Sequence, residues 1–216
     1  MSGTTATTGF INCPVRRLVL ASRSPRRRAL LAGAGIDVEC DPSGVEELTR
    51  HEESPRGLAL ANAHSKAQAV AMRRAGDVVL GADTIVVFEN AVFGKPRDLK
   101  HAGEMLGRLS GHTHEVLTAV SILHWASRRN AQFCEVTRVR FRDLSEGQIR
   151  DYLAEIEPLD KAGAYAAQED RGRIIAEVEG SFTNVVGLPM ERTLAVLRGE
   201  FGFSKRGVIR LPAAEW

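Results

Sequence analysis

The sequence predicts an α/β fold in which helices flank a mixed, partly antiparallel sheet. Three observations carry that reading. Short apolar runs of strand length alternate with amphipathic stretches of helical length. Two stretches open on the same pair, Ser24-Pro25 and Ser54-Pro55, a capping hydroxyl followed by a proline suited to the first helical turn. Two long strand-like runs, 116–125 and 132–141, follow each other across the polar Ser127-Arg128-Arg129-Asn130, a connection that makes neighbours antiparallel.

In chain order, Leu18-Val19-Leu20-Ala21 is an apolar run that reads as a buried strand. The helix opened by Ser24-Pro25 carries Leu30, Leu31 and Ala34 and stops at Gly35, and residues 37–41 form a short strand. After Ser54-Pro55, Leu60, Ala63, Ala67 and Val70 keep helical spacing as far as Arg74. Lys66 and Asn62 are expected opposite that stripe, where spacing alone makes Lys66 a surface lysine. Val78-Val79-Leu80 is a strand expected to end at Gly81-Ala82-Asp83. Strand character resumes at Ile85, and Glu89-Asn90 turns a hairpin into Val92-Phe93. Ala102, Met105, Leu106 and Leu109 make a helical stripe that ends at Ser110-Gly111. Ser145-Glu146-Gly147-Gln148 is a capping box ahead of Ile149, Tyr152, Leu153 and Ile156. Residues 173–178 form a strand, and Pro189 opens a last helix with Leu194 and Leu197.

Composition narrows the class. The 216 residues are 44% hydrophobic and 26% charged with a net charge of +2, which argues against disorder, collagen, coiled coil or a disulfide scaffold. Near balance also argues against a nucleic-acid coat or a polybasic membrane binder. Cys13, Cys40 and Cys134 are scattered and odd in number, so a reducing cytoplasm is expected. No apolar run approaches the roughly 18 residues of a membrane span. Residues 1–16 read as a disordered extension without the pattern of a signal peptide, 17–203 as a single domain and 204–216 as a tail.

One irregularity stands out: six arginines fall between Arg16 and Arg28. The N-terminus of a helix favours anions, so Arg26, Arg27 and Arg28 in a first turn make sense if something strongly negative docks there. With Ser22 and Ser24 they could form a phosphate cradle; the alternative is a solvated basic turn. No GxxxxGK[ST], GxGxxG or GxSxG occurs. Candidate acids are Asp83 and the loop pair Glu46-Glu47, which could hold Mg²⁺ beside such a cradle. Proline 96 restricts Lys95 to extended geometry, and Asp160-Lys161-Ala162-Gly163-Ala164-Tyr165 is a small-residue loop that backbone or ligand can approach closely. His112 and His114 could share a strand face but lack a third metal ligand nearby. Aromatics, at 6%, do not interleave with the basic cluster, which disfavours a stacking platform for single strands.

Assembled in order, these segments resemble the Maf family of nucleoside triphosphate pyrophosphatases. The resemblance runs through Ser22-Arg23-Ser24-Pro25-Arg26-Arg27, Val45-Glu46-Glu47, Lys66-Ala67, Gly81-Ala82-Asp83-Thr84 and Gly94-Lys95-Pro96. It continues through Leu109-Ser110-Gly111, the 160–165 loop with Gln168, and Gly187-Leu188-Pro189, covering about residues 17–200. It implies a two-lobed, Maf or inosine triphosphatase-like fold around a nucleotide-binding cleft, homodimerisation, and metal-dependent hydrolysis to monophosphate and pyrophosphate with Mg²⁺ or Mn²⁺.

Residue by residue, the resemblance makes Asp83 the base that activates water or a metal ligand, and Glu47 a metal-site acid. Lys66, Lys95, Arg26 and Arg27 become phosphate-contacting cations, with Ser22 and Ser24 in the phosphate loop. Arg26, Thr84 and Gln168 match positions of base selection. Asp83-Thr84 and the 160–165 run resemble members acting on dTTP and UTP rather than the sister group acting on 7-methyl-GTP. A nucleotide-sensing regulator of division is the non-catalytic alternative. The segment Ala166-Ala167-Gln168-Glu169-Asp170 departs from the family's glycine-flanked pattern. Alanine at 166 would strain a positive φ, and Glu169-Asp170 is expected to bring negative charge near the base pocket.

Overall fold

The computed structural model describes residues 17–49 and 54–203. The extension and tail expected over 1–16 and 204–216, with Cys13, lie outside the described residues. The strands are β1 (Leu18–Leu20), β2 (Val38–Cys40), β3 (Val78–Phe88), β4 (Ala91–Phe93), β5 (Thr113–His124), β6 (Arg129–Phe141) and β7 (Ile175–Glu179). The helices are α1 (Pro25–Gly33), α2 (Pro55–Arg73), α3 (Leu99–Leu109), α4 (Glu146–Glu155), α5 (Phe182–Val186) and α6 (Met190–Phe201). All seven strands form one sheet in the order β2-β1-β3-β5-β6-β7, with β4 paired to β3. Pairing is parallel between β2, β1 and β3 and antiparallel elsewhere, so the sheet is mixed, as the sequence predicts.

Local chemistry sets the element boundaries. Ser24 and Ser54 each accept a backbone N–H from the third residue beyond, ahead of a first-turn proline. Ser145 and Gln148 complete both halves of their capping box. Glu89 and Asn90 both take left-handed backbone, at φ 49° and 62°, which fits a two-residue hairpin between twisted strands. Two core clusters occupy opposite ends of the long strands. One gathers Leu20, Leu80, Ile122, Leu197 and Phe201; the other gathers Val86, Leu106, Phe141, Tyr152 and Tyr165.

The structure corrects one strand boundary, and the correction matters for the site. β3 does not end at Gly81-Ala82-Asp83 but runs unbroken for 11 residues, because β5 pairs with it from Val79 to Val87. The strand that does end is β1: its register with β3 stops at Leu20 and Leu80. Asp83 therefore sits mid-strand, just beyond the point where its parallel neighbour leaves the sheet. A crevice outside the carboxyl end of a parallel strand results.

Gly81 shares a strand face with Asp83, and α2 lies directly over it. A Cβ at Gly81 would stand 2.7 Å from the Ala67 amide nitrogen and closer still to the Ala63 carbonyl. Backbone atoms cannot yield as a flexible side chain can, so only glycine permits this approach. The alanines of α2 complete the close contact: Ala59, Ala63, Ala67 and Ala71 are all fully buried.

The His112–His114 pair does not form a ligand face. His112 Nδ1 contacts the Ser110 carbonyl at 2.6 Å, while His114 is buried edge-on to Phe141 with Nε2 2.9 Å from the Tyr165 hydroxyl. Burial pushes the His114 imidazole down to about 4, so it is neutral at pH 7. Below about pH 6.5 the unfolded chain takes a proton that the folded chain refuses until pH falls to about 4. Stability should therefore decline across that window by on the order of 3 kcal/mol from this residue. Urea denaturation at several pH values checks this, and His114→Gln should flatten that part of the curve.

Candidate active site

Beyond the end of β1 opens a cleft of about 850 Å³. Among the described residues its walls carry six cationic side chains, Arg23, Arg26, Arg27, Lys66, Lys95 and Lys161, against three carboxylates, Glu47, Asp83 and Asp160. Among the described residues that line it there is neither histidine nor cysteine, so the metal donors these residues offer are oxygen atoms. The sequence-expected residues Ser22, Ser24, Thr84 and Gln168 line the same space.

At the floor, Lys66 from α2 reaches two acids at once. Its Nζ lies 2.6 Å from Asp83 Oδ1 and 2.7 Å from Glu47 Oε1. Lys66 is 8% exposed and Asp83 5%, which overturns the placement of Lys66 on the helix face opposite the apolar stripe. The stripe itself faces the sheet, and Lys66 borders it closely enough to be drawn in by Asp83 across the Gly81 contact. A buried ammonium is tolerated because both carboxylates face it. Burial pushes the Glu47 carboxyl up, but its hydrogen bond to Lys66 and the charges of Lys66, Lys95 and Arg27 outweigh that and hold it below the usual range. Lys95 Nζ stands 3.7 Å from the same Glu47 oxygen. One helical turn before Lys66, Asn62 donates to Asp83 Oδ2 at 3.3 Å. Sequence spacing pairs Asn62 with Lys66 but assigns it no task.

The arginine cluster divides into two kinds. Arg27 is a clamp: Nε donates to the Gly187 carbonyl at 2.8 Å, Nη1 to Ser22 Oγ at 3.3 Å and Nη2 to Thr84 Oγ1 at 3.1 Å. It thus ties α1 to β3 and to the turn that ends α5. Burial pulls its pKa down, opposed by Asp83. Thr84 in turn meets Thr118 at 2.9 Å, and Thr118 donates to the Asn184 carbonyl at 2.9 Å. Arg26 instead projects across the cleft mouth to Asp160, with Nη1 3.0 Å from Oδ2. Asp160 is shared with Lys161, whose Nζ lies 2.7 Å from Oδ1. Burial raises the Asp160 pKa, but Lys161 and Arg26 together bring it below its ordinary value. The Ser22 and Ser24 hydroxyls are engaged locally, accepting from the Ser24 and Arg27 amides.

The departure at 166–170 follows the sequence expectation at Glu169, which stands beside cleft-lining Gln168, but not at Ala166 or Asp170. Ala166 takes φ −122°, an ordinary extended value, and the non-glycine left-handed positions nearby are Ala164 and Arg171. Ala166 N–H donates to the Tyr152 hydroxyl at 3.0 Å. Neither Glu169 nor Asp170 lines the cleft. Asp170 is buried and accepts three backbone N–H groups, from Gly172, Ile174 and Ile175. Its charge is consumed in shaping a turn. Glu169 accepts from the Gln168 amide at 3.1 Å.

Sequence comparison gives this geometry a relationship. The chain matches the family described as Maf-like protein over residues 17–200. A dTTP/UTP pyrophosphatase of Anaeromyxobacter dehalogenans is 49% identical over 184 residues, covering 84% of this chain and 93% of that one. A protein of the same name from Symbiobacterium thermophilum is 46% identical, covering 88% and 96%. Another from Bacillus anthracis is 43% identical, covering 85% and 95%. With the family match spanning nearly all of the described fold and these identities holding across it, the chain belongs to the Maf family.

Proposed function

We propose that this chain is a pyrophosphatase that hydrolyses dTTP and UTP to the nucleoside monophosphate and pyrophosphate. The observation that carries this reading is the Asp83–Lys66–Glu47 arrangement at the floor of a cleft whose walls are strongly cationic. The names of the relatives supply the substrates. A triphosphate is a compact polyanion, and six converging cations with only three acids match it.

In this reading water attacks the α-phosphorus and pyrophosphate leaves. Asp83 takes the proton of the attacking water through its carboxylate, which Lys66 and Asn62 hold at fixed orientation. Lys66 and Lys95 stabilise charge that builds on the phosphate oxygens, and being held by the fold they do so without reorganisation. Ser22 and Ser24 place the start of α1 toward the phosphates. Arg26, Thr84 and Gln168 face the nucleoside end, where a carboxamide can both donate to and accept from a pyrimidine edge.

Glu47 and Asp83 suit a hard divalent cation such as Mg²⁺ or Mn²⁺. Such an ion uses one or two carboxylates together with substrate phosphates, and the lysine between these two acids leaves the trio with one net negative charge to offer it. When bound, the ion would screen the phosphate oxygens and polarise the scissile linkage. The reading also includes a homodimer working in the cytoplasm, where these substrates are made; sedimentation equilibrium tests the dimer.

The test is a panel of canonical, methylated and modified triphosphates with separate detection of phosphate and pyrophosphate. dTTP and UTP should give pyrophosphate with the highest kcat/KM. Preference for 7-methyl-GTP would move the substrate to the sister group, and binding without turnover would make the chain a sensor. Within the arginine cluster, Arg26→Ala and Arg27→Ala should separate. Loss of the exposed Arg26–Asp160 pair should cost at most about 1 kcal/mol of stability while raising KM for dTTP about tenfold. Arg27→Ala strands three partners and should lower Tm by several degrees. Paired melting curves and steady-state kinetics read both effects.

A further inference from the structure

The segment that carries Glu47 has little of its own to hold it. No backbone-to-backbone hydrogen bond ties residues 43–49 to the rest of the described chain, and they form no helix or strand. Apart from the longer contact of Lys95 with Glu47, the side-chain bonds that tie this segment to the rest of the described chain come from α2. Lys66 takes the Glu47 carboxylate, and one turn earlier Asn62 takes the backbone next to it. Asn62 Oδ1 accepts the Leu48 N–H at 2.8 Å, and its Nδ2 donates to the Leu48 carbonyl at 3.0 Å. These two bonds close a ring on a single residue and fix the position of that residue's backbone. The second Nδ2 proton goes to Asp83 Oδ2 at 3.3 Å. The amide is 5% exposed, and each of its hydrogen-bonding atoms is used on the loop or on Asp83.

An amide buried this deeply is costly unless it is fully bonded, and a leucine would fill the space without that cost. The bonds it makes are therefore the reason for its presence, and all of them end on the two acids' supports. Without the Leu48 ring, Glu47 would remain attached to Lys66 only through a side chain, on a loop otherwise free to shift. A displacement of about 1 Å at a reacting group costs up to about a hundredfold in rate.

We infer that Asn62 is a positioning residue for the hydrolysis: it locks the Leu48 peptide and the Asp83 carboxylate so that Glu47 and Asp83 keep their spacing about Lys66 when substrate enters. Asn62 itself acts through the Asp83 carboxylate and the Leu48 backbone and takes no proton in the reaction. This rests on the pyrophosphatase reading above, and it adds to the site a residue whose contribution lies in holding a loop.

The test compares the full chain with Asn62→Leu, of similar volume without hydrogen bonds, and Asn62→Asp, which keeps the acceptor for Leu48 N–H but loses both donors and faces Asp83 with a second carboxylate. Asn62→Leu should lower kcat for dTTP about 10- to 100-fold with KM changed less than about threefold. Amide hydrogen exchange at Leu48 should accelerate at least about tenfold while α2 and β3 keep their protection. Asn62→Asp should lose kcat at least as severely with Leu48 protection retained, which keeps the test decisive should the leucine variant fail to fold. In a Glu47→Gln background, Asn62→Leu should cost less than it does in the unmodified chain, because the part of its effect that runs through Glu47 is already lost. Wild-type kcat in either variant, unchanged Leu48 exchange in Asn62→Leu, or an equal cost in both backgrounds overturns the inference. If the unmodified chain releases no pyrophosphate from dTTP or UTP, the pyrophosphatase reading fails instead, and Leu48 exchange still decides whether the lock exists.

Discussion

The Lys66 ammonium, placed between Asp83 and Glu47, is the interaction around which the rest of the molecule is arranged. Removing an ammonium from water costs several kcal/mol, and a single partner repays that poorly. Two carboxylates at 2.6 and 2.7 Å repay it and leave the group with negative charge to spare. Bringing Lys66 there requires α2 to lie almost on the backbone of β3. That explains the fully buried alanines of the helix and the glycine two residues before Asp83. The long pairing of β3 with β5 then holds Asp83 rigidly at mid-strand, while the early end of β1 leaves its carboxylate facing an open cleft. Helix packing, strand length and strand termination thus converge on one buried ion pair.

The arginine-rich start of α1 illustrates how charge is divided between structure and ligand. Three first-turn arginines without a first-turn acid oppose the helix dipole. Arg27 resolves its share of that conflict by burying its guanidinium against a carbonyl and two hydroxyls, so it joins the two sides of the cleft at its base. Arg26 reaches only a shared, partly exposed aspartate, a contact weak enough for a polyphosphate to replace. The first sets the shape of the cleft, and the second is available to what enters it. Asp170 shows the same economy away from the cleft lining, its charge spent on three backbone amides.

Much of this was legible in the sequence because it is local. Caps at Ser24, Ser54 and Ser145, the Glu89-Asn90 turn and the two long strands follow from side-chain chemistry within a few residues. The candidate residues were legible as a set through their ordered motifs, and the fold gathers them around one cleft except for Arg28 and Glu46, which do not line it. What escaped was anything decided by contact across the chain. Lys66 read as a surface residue because helical spacing says nothing of the glycine that lets a distant strand approach. Gly81-Ala82-Asp83 read as a strand end because a glycine interrupts the apolar run, although β5 supplies unbroken pairing there. Asn62 carried no motif, and Asp160 stood in one without a partner, since their contacts to Leu48 and Arg26 span 14 and 134 residues. Negative charge at 169–170 was expected near the base pocket; Glu169 does stand beside Gln168 while Asp170 is spent on a turn, because sequence cannot show which way a turn points its side chains.

The most direct test of the central ion pair is kcat for dTTP in Lys66→Met, which keeps the length and burial of the side chain while removing its charge, normalised to the folded fraction. Loss of the ammonium leaves two carboxylates facing each other with nothing between them, so kcat should fall at least about a hundredfold. A folded Lys66→Met protein that turns over dTTP at the wild-type rate would contradict the account.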